Sequence, residues 1–302
     1  MRSNRMQRWW RVFYGVIIVG LVGCGAATPT ATPVAKSRVQ AVLAASNLVV
    51  GPNRLPIGLI VDGSPINDPN VQVKLRLYYL DGTDAEKTQV AGEGSADYFG
   101  QGLPAGIYVT YPDFKKAGDW GVEVEATLPG KEPTVSTLRL SVLAQDPTPA
   151  IGSKAIAVDT PTVKTAPDLS QISSDPNPNP ALYQLSIADA ITSGKPTAIL
   201  FGTPGFCKTA TCGPSVTVLG NLQKTYGEKM NFIHVEVYKF PFSESVQANP
   251  PLLVPAMAEW RLQSEPWLFL LGKDGTIVNK YEGGITTEEL GPMIDTILAQ
   301  GI

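Results

Sequence analysis

The sequence predicts two domains of different class, an all-β sandwich over residues 47–143 and an alternating α/β domain over residues 181–302. Three observations predict it. Through the first region apolar residues recur at every second position, as in half-buried antiparallel strands. Through the second, short unbroken apolar runs alternate with stretches whose apolar residues repeat every three to four positions, as strands and amphipathic helices do in turn. Two segments, a low-complexity tether over 24–46 and a Pro-rich linker over 144–180, set these regions apart from each other and from the N-terminus. A chain of 302 residues has room for two ordinary domains, and 43% hydrophobic with 17% charged residues belongs to a globular protein.

The first residues carry Arg2, Arg5, Arg8 and Arg11 without an acid, then an apolar run from Val12 to Val22, then Leu21-Val-Gly-Cys24. A basic start, a short apolar stretch and small residues before a cut describe a secretory signal over residues 1–23. The stretch resembles a bacterial lipoprotein lipobox of the Leu-x-Gly-Cys kind. That resemblance implies a lipid on the Cys24 sulfur, Cys24 as the new N-terminus, and a protein anchored to a membrane on its extracytoplasmic side. An uncleaved anchor helix is the other reading, but the run is shorter than the roughly 20 residues a span needs. Removing the four arginines takes the net charge from -3 to -7, with 20 basic groups against 27 acidic. This gives no support to nucleic-acid binding.

After the tether, Val71, Val73, Leu75, Leu77 and Tyr79 alternate with polar residues, as do Trp120, Val122, Val124 and Ala126, and then Leu138, Leu140 and Val142. Turn signals stand at Asp62-Gly63, Asp81-Gly82 and Pro104-Ala-Gly106. About seven strands in a sandwich satisfy this pattern. Ala117-Gly-Asp-Trp-Gly-Val-Glu-Val124 resembles the late strands of bacterial immunoglobulin-like domains, which implies a fold and no activity. The region has neither cysteine nor histidine, so a spacer or protein-contact role is expected of it. The segment 144–180, with Asp-Pro-Thr-Pro and Asp-Pro-Asn-Pro-Asn-Pro, reads as a linker that can lie over the next domain.

The second domain reads α β α β α β β α. Leu185 to Ser193 is a helix stopped by Gly194-Lys-Pro196, and Thr197 to Phe201 is a buried strand. A helix from Ser215 to Tyr226 has Val216, Leu219 and Leu222 on one stripe and ends at Gly227. Strands follow at Asn231 to Tyr238, Trp267 to Leu271 and Thr276 to Tyr281, with a short helix near Ala256 to Arg261. In the last helix Thr286 and Glu289 have capping-box spacing, and Pro292 predicts a kink or a later start.

Between the first strand and its helix lies Thr203-Pro-Gly-Phe-Cys-Lys-Thr-Ala-Thr-Cys-Gly-Pro-Ser215. If lipid modification consumes Cys24, Cys207 and Cys212 are the remaining thiols, in a compartment where disulfides persist. A helix N-terminus stabilises a thiolate, Lys208 adds positive charge, and the short loop lets one sulfur close on the other. Their α-carbons can come within the roughly 4.4–6.8 Å a disulfide requires. A permanent staple is the bland alternative, although so short a loop stabilises only modestly.

The element order and these residues resemble the thioredoxin superfamily over roughly the last 120 residues, and most nearly extracytoplasmic thioredoxin-like lipoproteins with a Phe-Cys-x4-Cys-Gly-Pro signature. Thr197-Ala-Ile-Leu-Phe201 matches the central strand and Phe206-Cys207 the start of the motif. Ser264-Glu-Pro-Trp267 matches the segment in which a cis-proline precedes a strand, and Gly283-Gly284 matches the glycine before the last helix. The resemblance implies a thioredoxin-like fold and thiol-disulfide exchange with protein substrates through Cys207 and Cys212, with Pro266 beside the sulfurs. It calls for no cofactor and no metal.

The family pattern is Cys-x2-Cys, so two more residues intervene here. In one register Phe206-Cys207 starts the motif; in the other, Thr211-Cys-Gly-Pro-Ser215 makes Cys212 the nucleophile and Ser215 a lost resolving position. The first puts an aromatic and Pro214 where the family has them. Phe201 occupies the place of the family's buried acid, leaving Glu236 as the best available proton relay, unless it simply pairs with a lysine. His234, the only histidine, reads as a hydrogen-bonded core residue. A Cu(I) carrier using both cysteines is the alternative function, since thiolates suit that ion. Thr209-Ala-Thr-Cys212 also resembles the Thr-x-x-Cys of peroxiredoxins, with Pro204 out of that motif's spacing.

Overall fold

A computed structural model describes residues 38–166 and 168–302. The signal segment, Cys24 and the tether as far as Ser37 lie outside the described residues.

The alternation read at 71–79, 118–127 and 134–143 arises because one side of each strand faces a common core. Val73, Leu75, Leu77, Trp120, Val122, Val124, Leu140 and Val142 are all buried, while the residues between them are open to solvent to varying degrees. In spatial order the strands run Val39–Leu43, Leu55–Val61, Tyr108–Thr110, Gly92–Tyr98, Gln72–Tyr79, Gly118–Thr127, Thr134–Leu143 and Leu48–Val49. The strand Gly92–Tyr98 pairs with Gln72–Tyr79 through residue 96, then changes partner to Tyr108–Thr110. A strand that changes neighbour in this way makes a corner, which lets the sheet fold over its own core. Trp120 fills that core edge-on to Phe114 and Tyr79, with its indole N–H donated to the Lys116 carbonyl.

In the second domain four strands lie in the order Asn231–Val235, Thr197–Phe201, Trp267–Leu271, Ile277–Glu282. The first two are parallel and the others antiparallel. Thr197–Phe201 is buried throughout, so both of its faces must be covered by apolar residues. Ile199 and Phe201 pack with the short helices Ile187–Ile191 and Pro255–Glu259; Ala198 and Leu200 face the helices Cys212–Tyr226 and Thr287–Gln300. This mixed sheet with helices on both sides is the arrangement the thioredoxin resemblance implies.

Three local expectations change. The helix expected from Ser215 begins at Cys212, because Gly213 and Pro214 fall within its first turn, where the N–H that proline lacks would have had no partner within the helix. The last helix starts at Thr287, ahead of Pro292. Thr286 caps it by accepting from the Glu289 N–H, but the Glu289 carboxylate does not return the bond, being held instead by Arg54. The segment 144–180 is laid along the α/β domain. Ala155 N–H donates to the Gly275 carbonyl and Ala188 N–H to that of Val158, and Ile172 is buried beneath Leu182 and Tyr183.

Candidate redox site

Gly202 and Thr203 follow the central strand and begin the loop that carries the cysteines. Cys207 and Cys212 form a disulfide, with α-carbons 5.9 Å apart. Cys212 is the first residue of its helix and is fully buried, whereas Cys207 is partly open to solvent in the preceding loop. Of the two sulfurs' residues Cys207 is the more open to solvent, and Ser215 lies fully buried one turn beyond Cys212.

The Cys207 sulfur accepts two hydrogen bonds. One comes from the Cys212 backbone N–H at 3.2 Å, an unpaired donor of the helix N-terminus. The other comes from the Thr209 hydroxyl at 3.3 Å, since a sulfur in a disulfide has no proton to give. Thr209 is in turn 2.8 Å from the Thr211 hydroxyl. Donors aimed at a sulfur favour its thiolate. Thr209 and Thr211 belong to the residues between the cysteines; the sequence marked Thr209 only through the Thr-x-x-Cys likeness, and nothing in it joined either hydroxyl to the Cys207 sulfur. Ala210 between them adopts φ 58, a left-handed conformation that costs an alanine about 1–2 kcal/mol.

Pro266 is reached through a cis peptide from Glu265 and is buried on the same side as the cysteines. A β-carbon added at Gly202 would stand in ordinary contact with Cys212 Cβ at 3.5 Å and Pro266 Cβ at 3.6 Å, which places both side chains against this glycine. Beside this point lies a groove of about 420 Å³ walled by Lys208, Thr209, Tyr238, Pro250, Leu253 and Glu265.

Two carboxyls lie near the site, in different states. Glu236 is buried, with one oxygen accepting from the Ser174 N–H at 2.9 Å and its hydroxyl at 2.5 Å, and the other from the Val237 N–H at 3.1 Å. Its bonds go to these donors and to neither sulfur. Ser174 comes from the segment read as a linker, where no periodicity marks it. Glu265 has one buried oxygen without a hydrogen-bond partner. Burial, helped by the Glu236 charge, pushes its carboxyl up to about 7, against the lowering effect of the Thr203 N–H and Lys208. The available signal was its place directly before Pro266.

His234 is a core residue, as read. Its Nε2 lies 3.0 Å from the Gly202 carbonyl, which can only accept, so Nε2 carries the proton and Nδ1 accepts from the Tyr183 hydroxyl at 2.7 Å. Burial lowers its proton affinity.

No family model matches the chain, and no curated protein matches it. Among solved structures, a thioredoxin family thiol:disulfide interchange protein from Chlorobium tepidum is 14% identical, with 50% of this chain and 99% of that one covered at a TM-score of 0.33. StoA from Bacillus subtilis is 21% identical, with 33% and 83% covered at 0.24. A DUF4426 family protein from Pseudomonas aeruginosa is 7% identical, with 38% and 97% covered at 0.26.

Proposed function

We propose that this protein is a thiol-disulfide oxidoreductase acting on protein disulfides outside the cytoplasmic membrane, anchored by a lipid on Cys24 and carrying an immunoglobulin-like domain ahead of its thioredoxin-like one. The observation that carries the reaction is the asymmetry of the pair, a reachable Cys207 with two donors on its sulfur and a buried Cys212 behind it. In the reducing direction the Cys207 thiolate attacks a substrate disulfide. The bond from Cys207 to one substrate sulfur forms, the substrate disulfide breaks, and the other substrate sulfur leaves as thiolate. Cys212 then gives up its proton and attacks Cys207, which re-forms the Cys207–Cys212 bond and releases the second substrate thiol. Two electrons pass from the pair to the substrate, and the reverse sequence oxidises a dithiol. Pro266 borders the mixed disulfide. Glu236 holds the loop through Ser174, which also accepts from the Gly205 N–H.

The test is reduction of insulin by the full chain and by Cys207→Ser. The variant is expected to lose the activity, and an unchanged rate overturns the proposal.

A further inference from the structure

The β-sandwich touches the redox site through the turn that joins strand Ile277–Glu282 to the last helix. The sheet begins at the strand Val39–Leu43, earlier than the boundary at residue 47 read from the sequence, so Ser46 belongs to its side: the Glu282 carboxylate accepts from the Ser46 N–H at 2.9 Å, the Ser46 hydroxyl at 2.5 Å and the Asn47 N–H at 2.8 Å. Arg54 donates to the Glu282 and Gly284 carbonyls at 2.6 and 2.9 Å while its guanidinium pairs with Glu289. On the redox side, the same carboxylate accepts from the Ser264 hydroxyl at 2.6 Å. Ser264 accepts the Trp267 indole N–H, and Gly283 N–H donates to the Pro266 carbonyl. Of the residues flanking the Glu265–Pro266 pair, Ser264 is thus tied directly, and Trp267 through Ser264, to a side chain whose other partners belong to the sandwich.

A second line runs to the attacking sulfur. A β-carbon on Gly284 would meet Ile107 Cδ1 at 2.6 Å, and Leu103 Cδ1 and Thr211 Cγ2 each at 3.3 Å. Ile107 and Leu103 are buried residues of the sandwich, and Thr211 is linked through Thr209 to the Cys207 sulfur.

We propose that the sandwich is a positioning element of the redox site, which fixes the Pro266 loop through Glu282 and the Thr211–Thr209–Cys207 chain through the contact at Gly284. A spacer needs no such contacts; a domain that sets the geometry of another does. This rests on Cys207 being the attacking sulfur of the proposed exchange.

The experiment follows alkylation of reduced Cys207 by iodoacetamide against pH in the full chain and in Glu282→Gln, Gly284→Ala and Ser46→Ala, with the fold of each checked by circular dichroism. Gly284→Ala drives a methyl group between Ile107 and Thr211. It is expected to raise the pH midpoint and slow alkylation at pH 7 by about threefold, as for one weakened hydrogen bond to a thiolate. Glu282→Gln is expected to change the reduction potential of the pair, with Ser46→Ala giving a smaller change of the same sign. Folded variants whose alkylation profile and potential both superimpose on the parent overturn the proposal. If Glu282→Gln does not fold, Gly284→Ala and Ser46→Ala decide alone. Alkylation reports on Cys207 whether or not the protein reduces insulin, so failure of the exchange reading is seen separately.

Discussion

Replacing Glu265 with glutamine removes a carboxyl whose ionisation opposes folding. In the folded protein its carboxyl is pushed from the usual 4.5 up to about 7, because burial and the charge of Glu236 disfavour the anion. Below 4.5 the group is protonated in both folded and unfolded chains and no difference arises. Between 4.5 and 7 the unfolded chain has released the proton while the folded protein keeps it, so stability falls as pH rises; above 7 the folded state bears the whole cost. Full ionisation would cost about 3 kcal/mol at roughly 1.36 kcal/mol per tenfold change in proton affinity. Glu265 is half-buried, and solvent screening reduces this to about 1–2 kcal/mol. Urea unfolding of the oxidised protein at pH 4.5, 6, 7 and 8 is therefore expected to show Glu265→Gln about 1–2 kcal/mol more stable at pH 8 and nearly equal to the parent at pH 4.5. A difference that does not vary with pH would refute the reasoning, since the carboxyl would then be unperturbed or its effect purely steric.

Other outcomes are expected on the same grounds. Cys212→Ser retains a reachable attacking sulfur without its resolving partner and should accumulate a mixed disulfide with substrate, detectable on non-reducing gels; Cys207→Ser should not. Arg54→Met leaves the buried Glu289 carboxylate without its partner and should destabilise by about 3 kcal/mol in thermal or urea unfolding. Arg139→Met, which breaks an exposed pair with Asp119, should leave the unfolding midpoint unchanged. Ala210→Gly relieves a left-handed alanine and should stabilise by about 0.5–1 kcal/mol. His234 is held neutral by burial, so the unfolded chain binds the proton more readily, and stability should decline as pH falls below about 6.5. Unfolding midpoints of His234→Gln should lack that part of the decline.

Much of the site was legible because it depends on neighbours along the chain. Cys207 and Cys212 were marked by their place between an apolar strand and a helix, and Pro266 by the likeness of Ser264-Glu-Pro-Trp267 to the thioredoxin segment that precedes a strand. Glu236 was seen as an acid beside the central strand, but two of the three donors that occupy it are on Ser174, 62 residues away in a segment with no pattern to read. The carboxyl of Glu265 was passed over although it stands directly before Pro266, because that place does not tell a glutamate with a free oxygen from one that is paired. Glu289 shows the same limit from the other side. Its spacing from Thr286 satisfies a capping box, yet Arg54, 235 residues earlier, offers a charged bidentate partner that a backbone N–H cannot match.

By itself the sequence determined the periods of its strands and helices, the two core stripes, and the presence of a thiol pair where a strand gives way to a helix. These follow from contacts among residues a few positions apart and from the alternation that burial imposes. Only the tertiary structure decided which sulfur faces outward, which carboxyl is left without a partner, and that the sandwich grips the Glu282–Gly284 turn. Those outcomes depend on groups such as Ser46 and Glu282, 236 residues apart, which meet only when two cores have formed and packed together. Hydrogen bonds and charge pairs across such distances leave no periodic trace in the chain.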